Sequence, residues 1–149
     1  MYTLLIADDE ALEREGLEMM IRHAMPDTFR FVHAENGRRA IQLAEEERPD
    51  FIFMDIKMPG IQGLEAVREI MARQPGARVV IITAHDYFAY AKEGLGLGVR
   101  EYLLKPARRE EILDVLKHLI AETEEAKRAR DEQLSLQEKL SHLLPLAEN

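Results

Sequence analysis

The sequence contains no cysteine. Disulfides, thiolate zinc sites and cysteine nucleophiles are therefore excluded together. An excess of basic residues is also missing: 20 Lys and Arg stand against 28 Asp and Glu, for a formal net charge of −8. That balance lacks the electrostatic footprint of a DNA-binding surface. Long apolar runs are absent too. The opening MYTLLIADDE has no basic leading segment, and its apolar stretch is far too short for a signal peptide or a membrane span. A cytoplasmic location with no membrane partner is the default expectation. The histidines at 23, 33, 85, 118 and 142 follow no ligand spacing, so zinc is not expected.

What is present reads as one folded domain. Hydrophobic residues make up 46% of the chain and charged ones 32%, which suits a globular core with a solvated surface. Short apolar runs recur at TLLIA (3–7), FIFM (51–54), VVIIT (79–83) and YLL (102–104), with FRFVHA (29–34) as a more polar fifth. Runs that are apolar on both faces predict strands buried between two helix layers. Amphipathic stretches at Ala11–Ala24, Gly37–Arg48, Gly63–Arg73, Tyr87–Leu97 and from Arg108 onward predict helices between and after them. Pro26, Pro49, Pro75 and Pro106 punctuate the borders. Strands alternating with helices imply a doubly wound α/β fold with a five-stranded parallel sheet, since parallel strands need crossovers. The domain is expected over residues 1–122. Residues 123–149 are expected to form a linker helix that extends the last one, stopped by Pro145. A heptad frame there places Ile112, Leu119, Ala126, Gln133 and Leu140 on one seam and Val115, Glu122, Ala129, Leu136 and Leu143 on the other. Its ends are apolar and its middle is small or polar, so a coiled coil and a solvated helix both stay open.

The chemistry concentrates at strand ends. Asp8, Asp9 and Glu10 follow the first strand, and Asp55 follows the third. Ligands of open α/β sheets bind at the carboxyl ends of strands, where strand order reverses. If the first and third strands are neighbours, Asp8, Asp9 and Asp55 converge and repel, unless a cation neutralises them. Hard carboxylate oxygens suit Mg²⁺, which also bridges readily to phosphate. The plainer alternative is that Asp8 or Asp9 caps the following helix. Thr83 closes the fourth run, and Lys105 closes YLLK before Pro106. A hydroxyl and an ammonium beside a metal site are what phosphoryl transfer to an aspartate nucleophile requires.

With Asp8-Asp9, Asp55 followed by MPG (58–60), Thr83-Ala84, Lys105-Pro106 and the aromatic Tyr102, residues 1 to about 122 resemble the receiver domain of two-component response regulators. The resemblance implies a flavodoxin-like fold with strand order 2-1-3-4-5 and five helices, the last extended. It implies that Asp9 binds Mg²⁺ directly, Asp8 does so through water, and Lys57 contributes its backbone carbonyl. Asp55 would take a phosphoryl group from a sensor histidine kinase, and Thr83 and Lys105 would bind its oxygens. Thr83 would then move toward the phosphoryl group and Tyr102 would fill the vacated space, with homodimerisation on phosphorylation as the consequence. A cis Lys105–Pro106 peptide is implied as well. Such a chain is no enzyme in the ordinary sense, catalysing only its own phosphorylation and dephosphorylation. ADDEALEREGL, TAHDYFAYAKEGLGLGV and REYLLKP are more narrowly similar to receivers that precede an AraC-type helix-turn-helix module. DNA would then be reached only through an output domain lying outside this sequence.

Lys57 and His85 stand two residues beyond Asp55 and Thr83, positions that overhang the phosphoryl group in receivers. A cationic Lys57 is expected to hold that group and slow its hydrolysis; His85 either shares the task or only caps its loop. Two rivals remain in view. A haloacid-dehalogenase-type phosphatase would need an Asp where Lys57 stands, and a phosphorylation-independent interaction module would not need the full residue set. GLGLG at 94–98 imitates a dinucleotide fingerprint, but it follows a helical stretch rather than the first strand. Gly94 and Gly96 are expected to shorten or fray the 87–97 helix.

Overall fold

The computed structural model describes residues 1–58, 60–84, 93–94 and 96–148, the side chains of 144–148 excepted. Five strands form one parallel sheet: β1 (Tyr2–Ala7), β2 (Phe29–Ala34), β3 (Phe51–Met54), β4 (Arg78–Thr83) and β5 (Glu101–Leu104), in the order β2-β1-β3-β4-β5. This is the flavodoxin-like α/β arrangement, with strand order reversing between β1 and β3. The helices are α1 (Ala11–Ala24), α2 (Gly37–Glu47), α3 (Gly63–Arg73) and α4 (Arg109–Glu148). The expected helix over 87–97 lies largely outside the described residues.

The central strands are apolar throughout because helices cover both faces of the sheet. Leu4, Leu5, Phe51, Ile52, Met54, Val79, Val80 and Ile81 are all fully buried. At the amino-terminal edge of the sheet, Tyr2, Phe29 and Phe51 form an aromatic cluster with ring centroids 5.4 to 6.5 Å apart. The helix boundaries have local causes. Asn36 caps α2, its side chain accepting from the Arg39 N–H at 2.8 Å. The helix stops one residue before its expected end because Arg48 turns left-handed (φ 48°), with Pro49 following.

The chain divides into two compact units, Met1–Leu113 and Asp114–Asn149. The second is helical to Glu148, so Pro145 does not stop it, contrary to expectation. A proline in the last turn forfeits a single intrahelical hydrogen bond, and its fixed φ is compatible with helix. Within this unit Thr123 donates to the Leu119 carbonyl at 2.8 Å. Leu134, Leu136, Leu140 and Leu143 are exposed.

Candidate functional site

The sheet builds the site by carrying its ladder one residue past three strands. The Asp8 N–H donates to the Ala34 carbonyl (3.0 Å), the Asp55 N–H to Ala7 (2.9 Å) and the Lys105 N–H to Thr83 (2.6 Å). Parallel register places Ala7 beside Met54, and Thr83 beside Leu104. The residues that follow therefore share one rim, although they are far apart in sequence.

Asp8, Asp9 and Asp55 each offer a carboxylate oxygen within 4.8 Å of the others. Asp8 and Asp55 are buried (6% and 8% exposed), whereas Asp9 faces solvent. Lys105 joins them: its Nζ donates to Asp8 Oδ2 (2.7 Å) and to Asp55 Oδ2 (3.2 Å). Asp55 Oδ1 accepts from the Lys57 N–H at 3.2 Å, and the Lys57 side chain is exposed. Thr83 is fully buried, and its hydroxyl finds no hydrogen-bond partner among the described residues. These groups open on a cleft of about 510 Å³ lined by Asp9, Asp55, Lys57, Thr83 and Lys105. Tyr102 is half-buried on β5 and packs against the core. His85 lies outside the described residues. The Lys105–Pro106 peptide is cis.

The helix-cap alternative is realised only in part. Glu10, not Asp8 or Asp9, is the N-cap of α1 and makes no side-chain cap. Asp8 instead accepts from the Glu10 N–H through Oδ1 at 2.9 Å, while Oδ2 remains turned to Lys105.

Charge and burial compete here. Burial works against ionisation of Asp8, but hydrogen bonds from Lys105 and the Glu10 N–H outweigh it and hold the carboxyl below its ordinary value. For Asp55 burial dominates; with repulsion from Asp8 it lifts the carboxyl above the ordinary value despite Lys105. Burial also opposes the charge on Lys105, yet its bonds to Asp8 and Glu13 and the charge of Asp55 keep its pKa well above the ordinary lysine range. The donor set fits a hard divalent cation. It consists of three oxygen-bearing carboxylates, one of which the fold disfavours in its charged form until a further positive charge arrives.

Two contributors escaped the sequence reading. Glu13, in the first turn of α1, accepts from Lys105 Nζ at 2.5 Å. Arg14 Nη1 donates to the Asp8 carbonyl at 2.5 Å, and its Nε donates to His33 Nδ1 at 3.3 Å, tying the start of α1 to the rim. The available signal was position: one helical turn after Asp9 brings α1 back over the strand ends.

Comparison with known proteins agrees with this geometry. The model of the response regulator receiver domain family matches residues 4–117. The uncharacterized transcriptional regulatory protein YesN of Bacillus subtilis is 31% identical over 147 residues, covering 99% of this chain and 40% of its own length. The transcriptional regulatory protein DegU of Brevibacillus brevis is 36% identical over 115 residues, covering 76% of this chain and 48% of its own. The receiver domain of AraT, a response regulator from Geobacillus stearothermophilus, aligns with a TM-score of 0.74 at 33% identity, covering 85% of this chain and 98% of that domain. The chain thus spans about half the length, or less, of the curated relatives named. It belongs to the receiver domain family of two-component response regulators.

Proposed function

We propose that Asp55 accepts a phosphoryl group from a phosphohistidine of a sensor kinase, and that the phosphorylated chain pairs with a second copy to control an output domain. One observation carries this reading. A buried Asp55 carboxylate, an ammonium 3.2 Å away and a buried Thr83 hydroxyl without a partner among the described residues meet at one rim beside two further carboxylates. In the transfer, a carboxylate oxygen of Asp55 forms the new P–O bond as the P–N bond to histidine breaks, and the proton needed by the leaving imidazole comes from solvent. Lys105 neutralises charge on the equatorial oxygens, and the unpartnered Thr83 hydroxyl donates to one of them. Asp8, Asp9, Asp55 and the Lys57 backbone carbonyl would hold Mg²⁺, which when bound supplies charge neutralisation between acceptor and donor. Movement of Thr83 toward the phosphoryl group frees space for Tyr102, a packing change that biases a two-state element. The output domain is expected to be a DNA-binding module of the AraC type, on the sequence similarity of the motifs around Asp8, Thr83 and Lys105. Residues 1–122 would then be the receiver and 123–149 the linker.

Incubation with acetyl phosphate and Mg²⁺, followed by mass spectrometry, tests the reading. One phosphoryl adduct on the wild type and none on Asp55→Ala is expected. No adduct on the wild type, or an equal one on Asp55→Ala, would leave a phosphorylation-independent interaction module as the better account.

A further inference from the structure

The Lys105 ammonium has three N–H donors. Glu13 takes one, alongside the bonds to Asp8 and Asp55. Glu13 is not one of the carboxylates grouped for a cation, and although it lies within the ADDEALEREGL stretch it is not among the site residues that carry the receiver resemblance. Its side chain is half-exposed and borders both the phosphoryl cleft and an apolar cleft of about 470 Å³ lined by Leu12, Leu17, Met20 and Phe53. Charge balance makes its presence consequential. A bound divalent cation together with the Lys105 ammonium would offset the carboxylates of Asp8, Asp9 and Asp55. At the mouth of the cleft, exposed Glu10 and Lys57 offset each other. Glu13 then adds a fourth carboxylate, on the very lysine that must meet the incoming phosphoryl group, while the neighbouring Arg14 guanidinium is engaged by the Asp8 backbone carbonyl and His33.

We propose that Glu13 is an anionic competitor built into the site, occupying part of Lys105 and repelling phosphodonors, so that it restrains phosphorylation of Asp55. The inference rests on the phosphoryl-transfer reading above. It makes a prediction of opposite signs that damage to the fold would not reproduce. Removing the Glu13 charge favours an approaching anion and disfavours a bound cation.

The test measures two quantities on Glu13→Gln and Glu13→Ala at low salt. One is the second-order rate of Asp55 phosphorylation by acetyl phosphate at saturating Mg²⁺; the other is Mg²⁺ affinity by calorimetry with no donor present. The phosphorylation rate is expected to rise, and Mg²⁺ affinity to fall, each by about threefold to tenfold, as suits one unit charge across a largely solvated rim. Both effects should shrink as salt is added. Glu13→Ala, which also frees the lysine N–H, should exceed Glu13→Gln in rate, and Glu10→Gln should change either quantity less. An unchanged or slower phosphorylation rate, a loss of both quantities together, or an equal effect from Glu10→Gln would overturn the proposal. Failure of the wild type itself to take up phosphate would refute the underlying reading, and this inference with it.

Discussion

At Asp55 the fold and the chemistry pull in opposite directions. Burial lifts its carboxyl above the ordinary range. The protonated form is therefore the one that folding favours. That contribution is fully present below the ordinary carboxylate range and is lost as pH rises through the raised folded value. In the metal-free chain Asp55→Asn should raise the Tm at neutral pH, and the gain should vanish in acid, where the wild-type group is itself neutral. Thermal melts in chelator at the two pH values check this; an equal difference at both would contradict it. Asp8 has the opposite sign. Its carboxyl is held below the ordinary value by Lys105 and the Glu10 N–H in spite of burial, so its contribution is present above the ordinary range and lost as pH falls through the folded value. Asp8→Asn should accordingly lower the Tm at neutral pH.

Thr83 and Lys57 bear the same tension without titrating. A buried hydroxyl with no partner among the described residues is a standing desolvation penalty. Thr83→Val keeps the shape and should stabilise the unphosphorylated chain by about 1 kcal/mol in denaturant unfolding, while slowing phosphoryl uptake. The exposed Lys57 side chain borders the cleft. If its charge holds the phosphoryl group, Lys57→Ala should hasten autodephosphorylation several-fold in a decay assay. An unchanged lifetime would remove it from the site.

Among the elements, strand ends and helix starts depend on each other through close backbone approach. Gly63 opens α3, and its N–H donates to the Ile56 carbonyl at 2.8 Å. A Cβ at this position would sit inside van der Waals contact of the Asp55 carbonyl. Gly63→Ala should therefore push α3 off the rim, destabilising the fold by about 1–3 kcal/mol and disturbing the acceptor. Chemical denaturation and the rate of phosphoryl uptake would both report it. Gly94 has a related explanation. A Cβ there would lie 2.6 Å from Ile81 Cδ1, so the glycine lets backbone approach β4; the expected weakening of the 87–97 helix falls largely outside the described residues. The strands were legible in sequence because continuous Val, Ile, Leu and Phe runs leave no polar face. Their starts at Tyr2, Arg78 and Glu101 were not, since a strand's first residue is set by the ladder it joins.

For the whole molecule, the proposed consequence of phosphorylation is pairing with a second copy. Sedimentation of the full chain with acetyl phosphate and Mg²⁺ should show a monomer-to-dimer shift that Asp55→Asn lacks. A dimer in both, with or without acetyl phosphate, would point instead to the exposed leucines at 136, 140 and 143, whose heptad spacing allows association without any switch. Among the described residues no helix is long and apolar enough to cross a membrane.

Sequence alone determined the layered architecture and the residues that end each strand. Apolar periodicity and proline placement are local properties, and a carboxylate doublet after a buried strand retains its meaning without coordinates. Convergence was decided by tertiary structure. Parallel register and reversal of strand order between β1 and β3 bring Asp8, Asp55, Thr83 and Lys105 to one rim. The same packing selects ionisation, lifting Asp55 and lowering Asp8 although both are aspartates at strand ends. Glu13 belongs wholly to the structure. In sequence it is one acidic residue among 28 Asp and Glu, and only the first turn of α1 brings it onto Lys105.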